Sequence, residues 1–350
     1  MATSALKMLR TETIEASAPC RMDSGGTWDI KSLALPLENI HPVTINVAVS
    51  LRTRVLLSPF LKGEVRIASE GFDHAEEAPF EALPFDSPFG LFFAAASYFG
   101  FHGFQAQITS DSPVKSALGG SSTALVAFIK ALSRLRERLG DKGLSPREIL
   151  HLGYHLEDAV GAGKCGIQDQ AAAVYGGVNL WTWHFGNRLS LYEREPLLDR
   201  KAQKEMSEHF VLAYSGKSHV STRINRSWIS DFLSSKTRAG WIEANEVVKR
   251  LGKAIRGRNW GQAAGLLMEE MKIRKGITPD ALTPLTEHLI HQAESGGCGA
   301  RFTGAGGGGC VWAVGEKGPV NELKTVWKSV LSSVKGAAIL DCGVDSEGAR

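Results

Sequence analysis

The chain of 350 residues is long enough to bury a large core, which predicts one large domain or two of ordinary size. Its composition is that of a soluble globular protein, and a net charge of only +3 provides no general field that would favour nucleic-acid binding. Five cysteines, widely spaced and without a CxxC pair, favour a reducing cytosol over a disulfide scaffold or a zinc site. The first 18 residues lack the apolar centre of a signal peptide, and no apolar run approaches the ~20 residues that span a bilayer. We therefore expect a cytoplasmic protein that binds neither nucleic acid nor membrane.

The first notable segment packs charged residues around a Gly-Gly turn. Residues 19–29 read Pro-Cys-Arg-Met-Asp-Ser-Gly-Gly-Thr-Trp-Asp and precede the strand-like run Pro42–Ser50. A charged turn between two strands is one interpretation. The density of Arg21, Asp23 and Asp29 makes a ligand site the competing interpretation.

Alternating apolar residues then predict a series of strands separated by a loop and a helix. We expect strands at Arg54–Leu57, Val65–Ala68 and Phe104–Ile108, an acidic loop over Phe72–Pro88 and a buried helix over Gly90–Phe101.

A glycine- and serine-rich loop follows the last of these strands. The residues Ala117–Thr123 open directly into an apolar run of helical spacing that continues to Leu139 and is ended by Gly140. The free N–H groups and the positive dipole end of such a helix favour an anion, and Gly119 and Gly120 let the backbone approach it closely. An ordinary capped helix after a flexible loop is the alternative.

Two acidic residues lie in the next segments. A capping box at Ser145–Glu148, with proline at the first helical position, starts a helix that runs through Glu157. Asp169 lies in the glycine-rich turn Gly161–Gln170, which precedes a short Ala-rich helix and a strand at Tyr175–Trp181. Each acid has two interpretations, a functional carboxylate or simply a surface acid or helix cap.

The polar segment Arg188–Glu208 predicts a domain boundary, which we place between residues 195 and 196. The elements expected after it are strands at Phe210–Tyr214, Cys310–Val314 and Ala337–Leu340 and helices at Trp241–Gly257, Asn259–Lys275, Pro279–Ser295 and Val320–Val334. The polar turn Ser215–Asn225 holds Lys217, His219 and Arg223, which either bind a phosphate or carboxylate of a substrate or are solvated.

The glycine-rich loop at residues 304–309 satisfies the Gly-x-Gly-x-x-Gly dinucleotide pattern. A strand rather than a helix is predicted directly after it, so a dinucleotide site is excluded.

Several of these segments, in this order, resemble the motifs of the GHMP kinase superfamily. Pro113–Thr123 is similar to its phosphate loop, with Ala117 where the family usually has glycine. Residues 19–29 resemble the first motif of fucokinases and heptose-phosphate kinases. Residues 157–170 resemble the acid and the Gly-Gly-Lys-Gln-Asp-Gln segment of heptose-phosphate kinases, and residues 301–309 resemble the third GHMP motif.

The resemblance implies an α+β protein with the two-domain GHMP kinase fold. Residues 1–195 would form the ATP-binding N-terminal domain, which is ribosomal-protein-S5-like and contains a left-handed βαβ crossover. Residues 196–350 would form a ferredoxin-like C-terminal domain, with the active site in the cleft between the two.

The resemblance also implies an ATP-dependent kinase that phosphorylates a sugar hydroxyl, expected to be the anomeric hydroxyl of a heptose 7-phosphate or a related sugar. Asp169 is implied as the general base and Arg21 as the residue that stabilises developing negative charge, while Ser121 and Glu157 are implied as Mg²⁺ ligands. The residues implied to bind the ATP phosphates are Ser116, Ala117, Leu118, Gly119, Gly120, Ser121, Ser122 and Thr123. The residues implied to contact the sugar or sugar phosphate are Asp23, Gly25, Gly26, Thr27, Asp29, Gln168, Lys217, His219, Gly304, Ala305 and Gly306.

Alternatives remain open for the acceptor and for catalysis itself. The acceptor is open because His219 stands where related kinases have a substrate-side arginine. The other candidate acceptors are a free hexose or deoxyhexose, such as galactose or fucose, and a mevalonate-type alcohol. A non-catalytic sensor of sugar and nucleotide on the same fold is the alternative of another class. The oligomeric state is expected to be a monomer or a homodimer.

Overall fold

Two β-sheets, each with its own helices, organise the chain, which the computed structural model describes over residues 2–161, 163, 165–187, 189–218 and 221–350. The first sheet has seven strands and the second has four. The α+β class predicted from the sequence is therefore confirmed. None of the described helices is long and apolar enough to cross a membrane.

The first sheet is built around one long strand. Its strands are β1 (Ile14–Asp23), β2 (Val43–Pro59), β3 (Glu64–Ser69), β4 (Glu76–Pro79), β5 (Phe104–Ser110), β6 (Val178–Trp183) and β7 (Tyr192–Pro196). They lie in the order β4-β3-β5-β2-β6-β7, with β1 also paired to β2. The first half of β2 pairs with β6 and its second half with β5, while β1 runs antiparallel along both halves. β3 and β5 are parallel, and the crossover between them passes through β4 and the next helix.

The prediction of separate strands at Pro42–Ser50 and Arg54–Leu57 was wrong, because they form the single strand β2. Arg52 and Thr53, which lie between the two predicted segments, are buried inside the continuous strand. The predicted loop Phe72–Pro88 also contains the short strand β4, which pairs with β3.

Helices cover the first sheet and carry the residues of interest at their ends. They are α1 (Ala2–Leu9), α2 (Lys31–Ala34), α3 (Gly90–Phe99), α4 (Gly120–Arg138), α5 (Pro146–Val160), α6 (Gln168–Tyr175) and α7 (Arg200–Met206). α4 begins at the predicted glycine-rich loop, and its apolar face is buried in the core. The capping box of Ser145 and Glu148 at the start of α5 is confirmed. Asp169 lies in the first turn of α6 rather than in the preceding turn.

The second sheet has the β-α-β-β-α-β order of a ferredoxin-like domain. Its strands are β8 (Phe210–Tyr214), β9 (Gly299–Phe302), β10 (Cys310–Val314) and β11 (Ala338–Leu340), in the antiparallel order β11-β8-β10-β9. Its helices are α8 (Ser221–Leu233), α9 (Arg238–Arg256), α10 (Trp260–Ile277), α11 (Pro284–Ser295) and α12 (Lys317–Leu331). α8 was not predicted, because its first residues belong to the polar segment interpreted as a turn. α11 starts later than predicted, since Thr283 caps it and Pro279–Ala281 forms a separate 3-10 turn.

The last residues of the chain return to the first sheet. Val344 forms a bridge with Val49, Arg350 exchanges backbone hydrogen bonds with Ser17, and the Asp345 carboxylate pairs with Arg52. The β7 strand ends at residue 196, next to the predicted boundary. The boundary itself stays a prediction.

Candidate active site

A cavity of about 820 Å³ lies where the two sheets and their helices meet. The first domain contributes Arg21, Gly119 and Asp169 to its lining, and the second contributes Trp228 and Gly304. Residues that are far apart in the sequence therefore share one cavity, as expected for the active site.

The N-terminus of α4 opens into this cavity. Gly119 is its N-cap residue, with a left-handed φ of +75°, and no side chain caps the helix. The first turn also lacks acidic residues. Uncapped backbone N–H groups at the positive end of a helix dipole attract an anion, so this end of the cavity fits the phosphates of a nucleotide.

Ala117 adopts a left-handed conformation that usually requires glycine. Its φ is +64°, a region that costs an L-residue about 1–2 kcal/mol. The conformation is held by the loop between β9 and β10, because the Cys310 N–H donates to the Ser116 carbonyl at 3.0 Å. A methyl group added at Gly309 would lie 2.8 Å from the Ala117 Cβ, so the two loops pack with almost no space between them. The alanine is therefore held in a backbone conformation that glycine adopts without strain.

The structure brings Arg21 and Asp169 together. Both Nε and Nη2 of Arg21 lie 2.7 Å from Oδ1 of Asp169, and Nη1 donates to the Ala117 carbonyl at 2.7 Å. Arg21 comes from β1 and is almost fully buried, whereas Asp169 is partly exposed to the cavity. The arginine thus joins the carboxylate to the phosphate loop and fixes their relative position.

Asp29 lines the same cavity as this pair. Its carboxylate accepts hydrogen bonds from the Gln168 side chain at 3.0 Å and from the Gln168 backbone N–H at 3.3 Å. Burial, with a further contribution from the charge of Asp169, raises the pKa of Asp29 to about 7. A Cβ at Gly166 would lie 1.8 Å from Oδ2 of Asp29, so a glycine is required where the chain passes this carboxylate. Asp29 is therefore held firmly and has polar groups around it suited to a hydroxylated ligand.

Glu157 on α5 also reaches the cavity. The Ser122 hydroxyl donates to its Oε1 at 3.0 Å and the Gln170 amide to its Oε2 at 2.6 Å, and burial raises the pKa of Glu157 to about 7. Ser121, which was predicted as a metal ligand, also lines the cavity.

The residues in the cavity fit a magnesium ion that is completed by phosphate oxygens. Mg²⁺ commonly binds one or two carboxylates together with substrate phosphates and water. The Glu157 carboxylate and the Ser121 hydroxyl supply oxygen donors beside the helix end that fits phosphates. No group of three or more histidine, cysteine or acidic residues is placed to hold a metal in the described ranges, so a site made of protein ligands alone is not found there.

Asp23 takes part in a buried chain of charges that connects the two domains. Its carboxylate pairs with Arg301 and accepts from the Gly304 N–H at 2.6 Å. Arg301 Nε lies 3.1 Å from Oε2 of Glu270, whose Oε1 lies 2.9 Å from Arg274 Nη2. The side chains of all four residues are fully buried. Burial alone would raise the pKa of Asp23, but the charges of Arg301 and Arg21 outweigh it and hold that pKa below its usual value.

The predicted site residues fall into three groups. Those that line the cavity are Arg21, Thr27, Asp29, Ser116, Ala117, Gly119, Gly120, Ser121, Ser122, Glu157, Gln168, Asp169, Gly304 and Ala305. Those that do not line it are Asp23, Gly25, Gly26, Leu118, Thr123, Lys217 and Gly306. His219 lies outside the described residues.

Two parts of the cavity were not identified from the sequence. One is an apolar end beside the phosphate loop, lined by Phe72, Pro88, Leu91 and Val114. The other is Trp228 on α8. The apolar part is visible in the structure because the large apolar side chains of Phe72 and Val114 are 47% and 53% exposed. Nothing in the local sequence distinguishes Trp228 from a core residue.

Replacing Gly119 with alanine is expected to disrupt the phosphate loop. The new Cβ would lie 3.0 Å from both Cγ and Oδ2 of Asp169, in addition to the strain of a positive φ. We expect nucleotide affinity to fall about tenfold or more, since even 1.4 kcal/mol of lost binding gives that factor. Titration calorimetry with a non-hydrolysable ATP analogue measures it.

Gly100→Ala is the matched control. Gly100 also has a positive φ, +68°, but no atom lies within 4 Å of its added Cβ. This variant should lose stability through backbone strain alone and keep its nucleotide affinity. Equal affinities in the two variants would show that the contact with Asp169 has no effect.

The fold and the site together define a class, the two-domain α+β kinase fold with a glycine-rich loop at a helix N-terminus facing an acid–arginine pair. Two family models match the chain, the N-terminal domain of GHMP kinases over residues 90–177 and the C-terminal domain of GHMP kinases over residues 250–333. Both stretches thus match domains of the GHMP kinases, and the resemblance described from the motifs is confirmed.

Individual relatives include kinases for two kinds of acceptor. A mevalonate kinase of Thermococcus onnurineus is 30% identical over 61% of this chain and 60% of its own length. A D-glycero-alpha-D-manno-heptose 7-phosphate kinase of Campylobacter jejuni is 27% identical over 59% of each chain. The matched region thus spans about 60% of the length of these curated relatives.

The fold similarity extends over nearly the whole chain. The structure of Lactococcus lactis galactokinase complexed with galactose superposes with a TM-score of 0.74, covering 99% of both chains at 17% identity. The two-domain GHMP kinase fold is therefore confirmed.

Proposed function

We propose that the protein is an ATP-dependent kinase that phosphorylates a sugar hydroxyl, namely the anomeric hydroxyl of a heptose 7-phosphate or a related sugar. The observation that carries this proposal is the Arg21–Asp169 pair, whose members lie 2.7 Å apart in the same cavity as the uncapped start of α4. A base, a cation and a phosphate-binding helix end in one cavity are the parts that phosphoryl transfer requires.

In this mechanism the loop around Gly119 and Gly120 holds the ATP phosphates. The Asp169 carboxylate accepts the proton of the acceptor hydroxyl while the hydroxyl oxygen forms a bond to the γ-phosphorus. The bond from that phosphorus to the oxygen bridging to the β-phosphate breaks, and ADP leaves with the electron pair. Arg21 stabilises the negative charge that develops on the transferring group.

Mg²⁺ would be held by Ser121 and Glu157 and would neutralise charge on the phosphate oxygens. The protein contributes mainly by positioning its own groups, since Arg21 already connects Asp169 to the Ala117 carbonyl in the phosphate loop.

A sugar acceptor is supported by two polar residues that line the cavity. These are Asp29 and Gln168, which carry hydrogen-bonding groups, and a relative is named as a heptose 7-phosphate kinase. A mevalonate-type alcohol is the second candidate, because the first relative reported above is a mevalonate kinase. A non-catalytic sensor is less well supported, since it would need neither Asp169 nor Glu157 in the cavity.

The test is ADP release from MgATP with heptose 7-phosphate, fucose, galactose and mevalonate as separate acceptors. We expect ADP release that depends on a sugar, with heptose 7-phosphate the best of the four. ADP release with mevalonate alone would mean that the acceptor is a mevalonate-type alcohol and not a sugar. Folded protein that binds ATP but releases no ADP with any of these acceptors would contradict the proposal.

A further inference from the structure

We propose that residues 343–350, which we call the return segment, position Arg21 and Asp169 for phosphoryl transfer, an inference that rests on the proposed function and adds a positioning element to it. The segment follows β11 of the second sheet and packs against the first sheet, where Val344 forms a bridge with Val49. None of its residues, all of which the structure describes, lines the cavity. Any effect of the segment on catalysis must therefore act through the strand and the helix that carry Arg21 and Asp169.

The two ends of α6 are held by different parts of the chain. At its start, the Gln168 N–H donates to the Asp29 carboxylate at 3.3 Å. At its end, the carbonyl groups of the last turn lack partners within the helix, and the return segment supplies one, because the Ala349 N–H donates to the Val174 carbonyl at 3.2 Å. A helix of eight residues spans only about 12 Å and moves as one unit. A displacement of its end therefore also displaces Asp169 in its first turn.

The return segment also holds β1, the strand that carries Arg21. The Ser17 N–H donates to the Arg350 carbonyl at 2.7 Å, and the Arg350 N–H donates to the Ser17 carbonyl at 2.9 Å. Ser17 and Arg21 belong to the same strand, Ile14–Asp23. One segment thus contacts both the strand that carries the cation and the helix that carries the base.

Arg52 of β2 holds the return segment from inside the first sheet. Its buried side chain donates through Nη2 to the Gly348 carbonyl at 2.7 Å and to the Ser17 carbonyl at 3.0 Å, and its Nη1 pairs with the Asp345 carboxylate. The Asp345 carbonyl in turn accepts from the Gly177 N–H, just beyond α6, at 2.6 Å. A buried arginine without such partners would be an uncompensated charge. The segment is therefore held in one position relative to β1 and α6.

The contact between the return segment and α6 leaves no room for a side chain at Gly348. Its φ is +71°, and an added Cβ would lie 2.3 Å from the Val174 carbonyl oxygen and 2.7 Å from the Tyr175 carbonyl carbon. Both are backbone atoms, so no change of side-chain rotamer relieves the clash, and either the segment or the end of α6 must move. Since a misplacement of about 1 Å can cost about 10²-fold in rate, this movement should reduce turnover.

The experiment compares Gly348→Ala with Gly63→Ala. Gly63 lies between β2 and β3, also has a positive φ, +86°, and has no atom beyond its chain neighbours within 4 Å of an added Cβ. Steady-state kinetics are measured with MgATP and the best of the four acceptors named above, and urea denaturation checks that each variant is folded. For Gly348→Ala we expect kcat to fall about 10- to 100-fold. The KM for ATP should stay unchanged, because the groups that bind the phosphates lie at the start of α4 and not on α6, and Gly63→Ala should keep the wild-type kcat.

A double substitution separates positioning from a general loss of structure. Gly348→Ala is introduced into the Asp169→Asn protein, in which the base is already absent. If the segment acts by positioning Asp169, the second substitution should cause little further fall in kcat, since the effects of residues that act as one unit are not additive. A purely structural role would lower kcat by the same factor in both backgrounds.

Asp345→Asn is a milder variant of the same segment, used if Gly348→Ala does not fold. The amide oxygen can still accept from the Glu347 and Gly348 N–H groups, which lie 3.0 and 3.2 Å from Oδ1 of Asp345. The negative charge that pairs with Arg52 is lost. We expect a smaller fall in kcat than for Gly348→Ala, again without a change in the KM for ATP.

Each outcome separates this inference from the proposed function. Wild-type kcat in folded Gly348→Ala or, where that variant does not fold, in Asp345→Asn would overturn the positioning role and leave the kinase assignment intact. An equal loss in Gly63→Ala, or the same factor in the Asp169→Asn background, would do so as well. Wild-type protein that releases no ADP with any of the four acceptors would reject both.

Discussion

Asp169→Asn is expected to reduce turnover by about 10²–10⁴-fold, the usual contribution of a positioned general base. The amide has nearly the shape of the carboxylate but cannot accept the proton of the acceptor hydroxyl. It also removes the negative charge that holds Arg21, whose Nε and Nη2 both lie 2.7 Å from Oδ1 of Asp169. Acceptor-dependent ADP release measures the loss of turnover.

Nucleotide affinity should be kept in this variant. The backbone N–H groups at the start of α4 do not depend on the Asp169 charge, and Arg21 still donates to the Ala117 carbonyl at 2.7 Å. Asp158→Asn, the same substitution on α5 outside the cavity lining, is the control and should retain full turnover. Turnover near the wild-type rate in Asp169→Asn would remove this residue from the role of base.

The parts of the site that could be predicted from the sequence are those set by local signals. The capping box at Ser145 and the glycines before α4 each act within a few residues, so their helices were located correctly. The pairing of Arg21 with Asp169 is of another kind, since the two residues are 148 positions apart. Resemblance to a family implied a role for each of them, but a linear pattern contains no sign of the ion pair that joins them.

Trp228 and the buried charges could not be predicted for a related physical reason. Charged residues such as Glu270 and Arg301 are usually solvated, and what buries them here is a set of partners from distant segments. Arg301 and Asp23 are separated by 278 positions. Likewise, Trp228 becomes a cavity residue only because α8 packs beside the loop that carries Asp29.

The buried chain of charges leads to the second large expected effect, on stability. Arg301→Met removes the central cation of the chain and leaves Asp23 and Glu270 fully buried without their shared partner. Removing one member of a buried ion pair typically lowers the stability of a protein by about 3–5 kcal/mol, because the remaining charge is neither solvated nor compensated. We expect the free energy of unfolding, measured by urea denaturation at neutral pH, to fall by about that amount.

Arg250→Met is the matched control, because Arg250 also pairs with a glutamate, Glu269, but both side chains are about half exposed. An exposed pair contributes about 0–1 kcal/mol, so this variant should unfold close to the wild type. At acidic pH the difference in the free energy of unfolding between the two variants should become smaller. Asp23 has a lowered pKa in the folded protein, so its contribution is present above the pKa of an unfolded aspartate and is lost as the pH falls through the folded value. Equal free energies of unfolding for Arg301→Met and Arg250→Met at neutral pH would mean that the buried charged residues are hydrated in solution and do not hold the two domains together.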